Sequence, residues 1–204
     1  MRALLCLAVL TPLALNAQPS LERLFYYVDR EDSYQSFVKH ADRIDVLGVG
    51  GYRVDSLGIL WGSVDRRVLE LARQRNVKVM PLLVNENFHQ PSLRRLLADT
   101  AARHRATRAM VDECRQHRYW GWQFDIENVH IDDRDRLTRW YEEAARALHA
   151  AGCTISIAVV HRPTELAGPL GYHRFLFDSW RAAYDLAALA RLSDFITIMT
   201  YSQH

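Results

Sequence analysis

Residues 120–130 read WGWQFDIENVH, a strand-like run of aromatic and β-branched side chains with a carboxylate pair, Asp125 and Glu127, in its middle. Strand alternation sorts the run into two faces. Trp122, Phe124 and Ile126 point one way, and Gln123, Asp125 and Glu127 point the other. Burying an unpaired carboxylate is costly, so the polar face must meet water or a substrate. Same-face neighbours on a strand lie about 6.5–7 Å apart, so the two carboxyl groups can touch. Two adjacent carboxylates do not ionise independently, and one keeps its proton to higher pH. A carboxyl still protonated near neutrality can protonate a glycosidic leaving oxygen.

Working outward, the chain alternates short apolar strands with amphipathic helices. Strands are predicted at 23–28, 44–51, 77–85, 120–130, 154–161 and 194–201, with a small hairpin over 52–62 turning at Asp55 to Gly58. Helices are predicted at 33–44, at 63–76 with Ser63 as N-cap, at 92–118 in one or two pieces, and at 171–193. The clearest helix precedes Gly152. Leu137, Trp140, Tyr141, Ala144, Ala145 and Leu148 paint one face, and Asp132, Asp133 and Asp135 sit at the N-terminal end that favours negative charge. Such alternation, with strands apolar on both faces, predicts an α/β fold with a parallel sheet wrapped by helices. A closed barrel and an open doubly wound sheet share this pattern, but no glycine-rich phosphate fingerprint follows the first strand. The fold expected is a (β/α)8 TIM barrel truncated after its sixth strand, since a whole barrel typically takes roughly 250 residues. The domain is assigned to residues 21–204.

Composition agrees: 49% hydrophobic and 25% charged residues suit a globular protein with a real core. The formal net charge of +2 is too close to neutral to point to nucleic acid or a membrane surface. Residues 1–17 have the layout of a secretory signal peptide: one Arg, an apolar run too short for a comfortable membrane span, and a small residue at Ala17. Cys6 falls in that segment. Export to an oxidising compartment leaves Cys114 and Cys153, for which two buried free thiols are favoured over a disulfide. No CxxC or Cys/His cluster indicates a metal, and no cofactor is expected.

GWQFDIEN resembles the fourth-strand signature of glycoside hydrolase family 18, the chitinase family, whose usual form is DxxDxDxE. ITIMTYSQH at the chain's end resembles the sixth-strand MxYD motif of the same family. The hairpin and FDIENV are most similar to its spore-germination, cortex-lytic branch. The resemblance runs from Leu24 to the end. It implies Glu127 as general acid and later base, and Asp125 as the residue that orients the substrate's acetamido group. Tyr201 would steady that group, and Met199 would be a lumen packing residue. It also implies substrate-assisted catalysis, in which the acetamido oxygen and not an enzyme side chain attacks the anomeric carbon. Three positions depart from the pattern. Trp120 and Gln123 replace the first and second Asp, and Ser202 replaces the Asp after Tyr201, so Gln123 and Ser202 become polar, uncharged candidates for substrate contact.

Other residues are weighed against plainer roles. Asn85 ends a strand facing the mouth and suits either a substrate contact or a loop amide. His130 and His161 read as loop hydrogen-bonders. Trp61, Trp120 and Trp122 read first as packing residues, although an exposed aromatic near the mouth could stack on a sugar. The expected function is a secreted or cell-envelope glycosidase acting on β-1,4-linked N-acetylglucosamine polymers. The alternative is a non-catalytic, chitinase-like glycan-binding protein on the same fold.

Overall fold

The computed structural model of the chain describes residues 22–201. The expected signal peptide at 1–17 and Ser202 lie outside the described residues. The sheet contains β1 (Leu24–Tyr27), β2 (Val46–Val54), β3 (Leu60–Gly62), β4 (Lys78–Asn85), β5 (Gly121–Asp125), β6 (Thr154–Val160) and β7 (Phe195–Met199). Six of these run parallel in the order β1-β2-β4-β5-β6-β7, and β3 pairs antiparallel with the end of β2. The helices are α1 (Glu31–His40), α2 (Arg66–Arg75), α3 (Gln90–Ala98), α4 (Thr100–His117), α5 (Arg134–Ala150), α6 (Gly171–Leu176) and α7 (Leu186–Leu192). Among the described residues, no helix is long and apolar enough to cross a membrane.

The sheet is strongly curled. In a flat sheet β1 and β5 would stand about 14 Å apart, three strand spacings. Here the Tyr26 hydroxyl on β1 donates to Gln123 Oε1 on β5 at 2.7 Å. Gln123 Nε2 donates in turn to Ser156 Oγ on β6 and Thr197 Oγ1 on β7, each at 3.0 Å. Side chains from four strands therefore converge on one interior point, as in an arc of a β/α barrel. Gly48 on β2 leaves room for this. A Cβ there would lie 2.8 Å from the Tyr26 ring.

The outward face carries the packing. Trp122, Phe124 and Ile126 are fully buried. Phe124 packs edge-on against Trp140 and Tyr141 of α5, with ring centroids 4.9 and 5.1 Å away. Trp122 packs against Tyr52 and donates its indole N–H to the Met110 carbonyl of α4 at 2.9 Å. Each such buried side chain contributes roughly 1.5–3 kcal/mol. The face predicted from Leu137 to Leu148 is the buried face of α5.

Several boundaries differ from expectation, each for a local reason. β2 continues unbroken to Val54 through a register shift between Gly50 and Tyr52, so the first arm of the antiparallel pair is β2 itself. Asp65, not Ser63, caps α2 by accepting the Arg67 N–H at 2.7 Å. The 92–118 segment divides at Asp99, whose carboxylate accepts the Ala101 and Ala102 N–H groups and starts α4. The 171–193 segment is α6, a π-helical turn at Phe177–Arg181, and α7 capped by Asp185. Cys114 and Cys153 were expected as free thiols but form a disulfide. Helix and strand periods bury each cysteine separately. They carry no information that two residues 39 apart in sequence meet.

Candidate active site

β5 ends at Asp125, and Glu127 lies in the loop beyond it, at the C-terminal end of the parallel strands. Barrel enzymes build their sites at that end. Both carboxyls are half-buried. Burial alone pushes the Asp125 carboxyl up from its ordinary value. Glu127 is pushed up to about 7, first by burial and then by the negative charge of Asp125. Glu127 therefore keeps its proton up to near-neutral pH, well above the ordinary carboxylate range.

Asp125, Tyr26, Leu82, Ala158, Met199 and Tyr201 line a small cleft of about 70 Å³. Met199 is buried in its wall, whereas Tyr201 is 75% exposed at its rim. Asp125, Met199 and Tyr201 thus meet in space, whereas Glu127, in the loop beyond β5, is not among the residues that line this cleft. A larger cavity, about 510 Å³, lies elsewhere, between β1 and α1 around Phe25, Phe37, Ile44 and Leu47. Its walls lack the carboxyl pair, so volume is a poor guide to chemistry here.

Two expected substrate contacts have other partners. Gln123 is fully buried under the cleft, and both ends of its amide are engaged by Tyr26, Ser156 and Thr197. It forms the floor beneath Asp125 and is not free to touch a ligand. Being neutral, it adds no charge to raise Asp125 further. Asn85 is 2% exposed and binds the main chain of Glu127. Its Nδ2 donates to the Glu127 carbonyl and its Oδ1 accepts the Glu127 N–H, each at 3.0 Å. His130 Nδ1 accepts the Asp132 N–H, and His161 Nδ1 lies 3.2 Å from the Met199 carbonyl, so both are loop hydrogen-bonders.

Tyr184 was not singled out from sequence. It is 1% exposed, and its hydroxyl donates to the Ile126 carbonyl at 2.8 Å, one residue before Glu127. Its only signal in the sequence was a Tyr in an apolar helical pattern, which reads as core. The loop is also tied at Asn128, which adopts left-handed backbone with φ of 54°. Its Nδ2 donates to the Phe88 carbonyl at 2.9 Å.

The arrangement predicts a pH effect. Asp125→Asn removes the charge beside Glu127 but leaves it buried. The Glu127 carboxyl is then expected to titrate lower, by less than about one unit because burial is the larger cause. A ¹³C NMR titration of the Glu127 carboxyl checks this, and an upward shift would contradict it.

No protein-family profile matches the chain. Over 177 residues it is 23% identical to the uncharacterized glycosylase YvbX of Bacillus subtilis (strain 168), covering 84% of this chain and 49% of the relative. It is 25% identical over 174 residues to the cortical fragment-lytic enzyme of the same organism, covering 84% of this chain and 38% of that enzyme. The chain thus spans half or less of the length of these curated relatives. Among solved structures it is similar to a chitinase from Chromobacterium violaceum, with a TM-score of 0.79, 21% identity, and 91% of this chain and 57% of that chain covered. That likeness establishes the fold as an arc of a β/α barrel.

Proposed function

We propose that the chain carries the acid/base half of a retaining glycosidase acting on β-1,4-linked N-acetylglucosamine polymers, with chitin and peptidoglycan glycan strands as the two substrate classes. The observation that carries this reading is Glu127, half-buried at the C-terminal end of the strands beside Asp125 and titrating near 7. Similarity to a glycosylase and a cortical fragment-lytic enzyme supports it.

In the proposed reaction the Glu127 carboxyl gives its proton to the glycosidic oxygen as the bond to the anomeric carbon breaks. The substrate's acetamido oxygen bonds to that carbon, forming a cyclic oxazolinium ion. Asp125 accepts the acetamido N–H and holds the group in place. Tyr201, at the cleft rim, donates to the acetamido oxygen. Water then attacks the anomeric carbon, the oxazolinium opens, and the Glu127 carboxylate takes the water's proton. Two inversions at one carbon give net retention. Met199 supplies the apolar wall, and Ser202, outside the described residues, is kept as a polar candidate for substrate contact.

The acid must be protonated to start the cycle, so the rate is expected to fall as pH rises through about 7. We assign the protein to the exported fraction. The signal-like residues 1–17 and the Cys114–Cys153 disulfide both suit an oxidising compartment. The neutral Gln123 beneath Asp125 favours one alternative, a glycan-binding protein without turnover. Incubating the full-length protein with N-acetylglucosamine oligosaccharides and with peptidoglycan, and following the product anomer by ¹H NMR, separates the readings. Retained β-product supports the proposal, an inverted product defeats it, and saturable binding without product favours the alternative.

A further inference from the structure

The β4–β5 ladder ends at the pair Val84↔Asp125. Two residues later the chain holds its proposed acid on a segment with no strand partner. The main-chain N–H and C=O of Glu127 are nevertheless both satisfied, and one side chain satisfies them. We propose that Asn85 is the positioning residue for Glu127, a side-chain rung that carries the β4–β5 ladder beyond the last residue of β5, with Tyr184 as a second fixing point one residue upstream. The inference rests on the reading of Glu127 as the acid.

The chemistry requires an amide at 85. Glu127 presents one donor and one acceptor about where a neighbouring strand would pair with them. Asn is a short side chain that carries its donor and its acceptor on separate atoms, so it can meet both groups at once. An ionised Asp accepts only, and Ala or Leu does neither. Because Asn85 is 2% exposed, water cannot substitute freely for its bonds. Fixing both main-chain groups of residue 127 restricts its backbone torsions and so the direction of its Cα–Cβ bond.

The second fixing point is itself braced. Tyr184 follows the π-helical turn, and its carbonyl accepts from Arg162 Nη1 at 3.1 Å. Downstream, Gln90 Nε2 lies 3.3 Å from both the carbonyl and Oδ1 of Asn128. Glu127 is therefore held at the residue before it, at itself, and at the residue after it. These holds come from the β4 end, the α3 start and the segment before α7. Placement to a fraction of an ångström matters for proton transfer, and a displacement near 1 Å can cost about 100-fold.

The test uses the full-length protein with ¹³C-labelled glutamate, following the Glu127 carboxyl by NMR across pH beside kcat and KM. Asn85→Ala frees the acid to swing toward water. The Glu127 titration is expected to fall by about one unit or more, and kcat to fall about 10- to 100-fold with little change in KM. Asn85→Asp keeps the acceptor, loses the donor and adds a neighbouring negative charge, so the titration is expected to rise above wild type. A residue needed only for folding would not give shifts of opposite sign. Tyr184→Phe removes one hydroxyl and is expected to shift the titration as Asn85→Ala does, but less. It serves as the test if circular dichroism shows Asn85→Ala unfolded. An unmoved Glu127 titration in the folded variants overturns the proposal. The carboxyl titration does not depend on turnover. If Glu127→Gln keeps full activity, the acid reading fails while the positioning result stands or falls on its own.

Discussion

Glu127→Gln is expected to reduce turnover of N-acetylated oligosaccharides by about 10²–10⁴-fold, the usual contribution of a general acid/base. The amide has the size of the carboxyl but no proton to give at neutral pH. It cannot accept the water's proton in the second half of the reaction either. Substrate affinity should change little, because the acetamido contacts assigned to Asp125 and Tyr201 remain. Activity equal to wild type would remove Glu127 from the mechanism.

The same substitution carries a stability signature with a fixed sign. The folded-state carboxyl titrates at about 7, above the ordinary value of 4.5, because burial and Asp125 disfavour its charged form. The folded state therefore holds a proton that the unfolded chain has already lost. Stability falls as pH rises from the unfolded value through the folded one. Glutamine has no charge to bury. The variant should match wild type near pH 4 and exceed it near pH 8, by on the order of 1–2 kcal/mol after allowing for solvent screening of a half-exposed group. Urea unfolding at the two pH values measures the difference. A variant that loses activity yet gains stability only at alkaline pH identifies a group held in place for chemistry against its own solvation.

The parts of this site that sequence makes legible are those governed by local period. Alternation along 120–126 assigns Trp122, Phe124 and Ile126 to the helix-covered face and Gln123 and Asp125 to the interior, where they lie. The β-α alternation gives the curled parallel sheet and its strand sequence. Legibility stops where a residue's role depends on a distant partner. Ile126 continues the apolar pattern, so nothing local marks the end of β5 at Asp125. Glu127 is placed by an amide 42 residues earlier. Gln123 looks like a polar residue facing a ligand until Tyr26, Ser156 and Thr197 are seen to occupy both ends of its amide. Asn85 looks the same until its partner is known. In each case a buried polar group must find a mate, and the mate sits on another strand or loop.

The disulfide is the largest such long-range fact, and removing it is expected to cost more stability than any other change considered. Cys114 lies near the end of α4, and Cys153 immediately precedes β6. The bond closes a loop over a sequence separation of 39, containing all of β5 and α5. Loop closure of that length restricts the unfolded chain by about 4 kcal/mol in the chain-entropy account, and measured values run about 2–4 kcal/mol. For a chain of this size that corresponds to a melting temperature lower by roughly 5–15 °C. Cys114→Ala with Cys153→Ala, or reductant on the native protein, should both produce it. The double variant should then show no further response to reductant. The staple joins the last turns of α4 to the residue before β6, at the N-terminal end of that strand and so opposite the carboxyl pair. Residual activity per folded molecule, measured below the melting transition, should therefore stay within about two-fold of wild type. Unchanged melting would mean that the thiols do not pair in the protein. A proportionate loss of activity in the folded fraction would mean that the staple also fixes β5 and its loop, bringing the far end of the barrel into the positioning of Glu127.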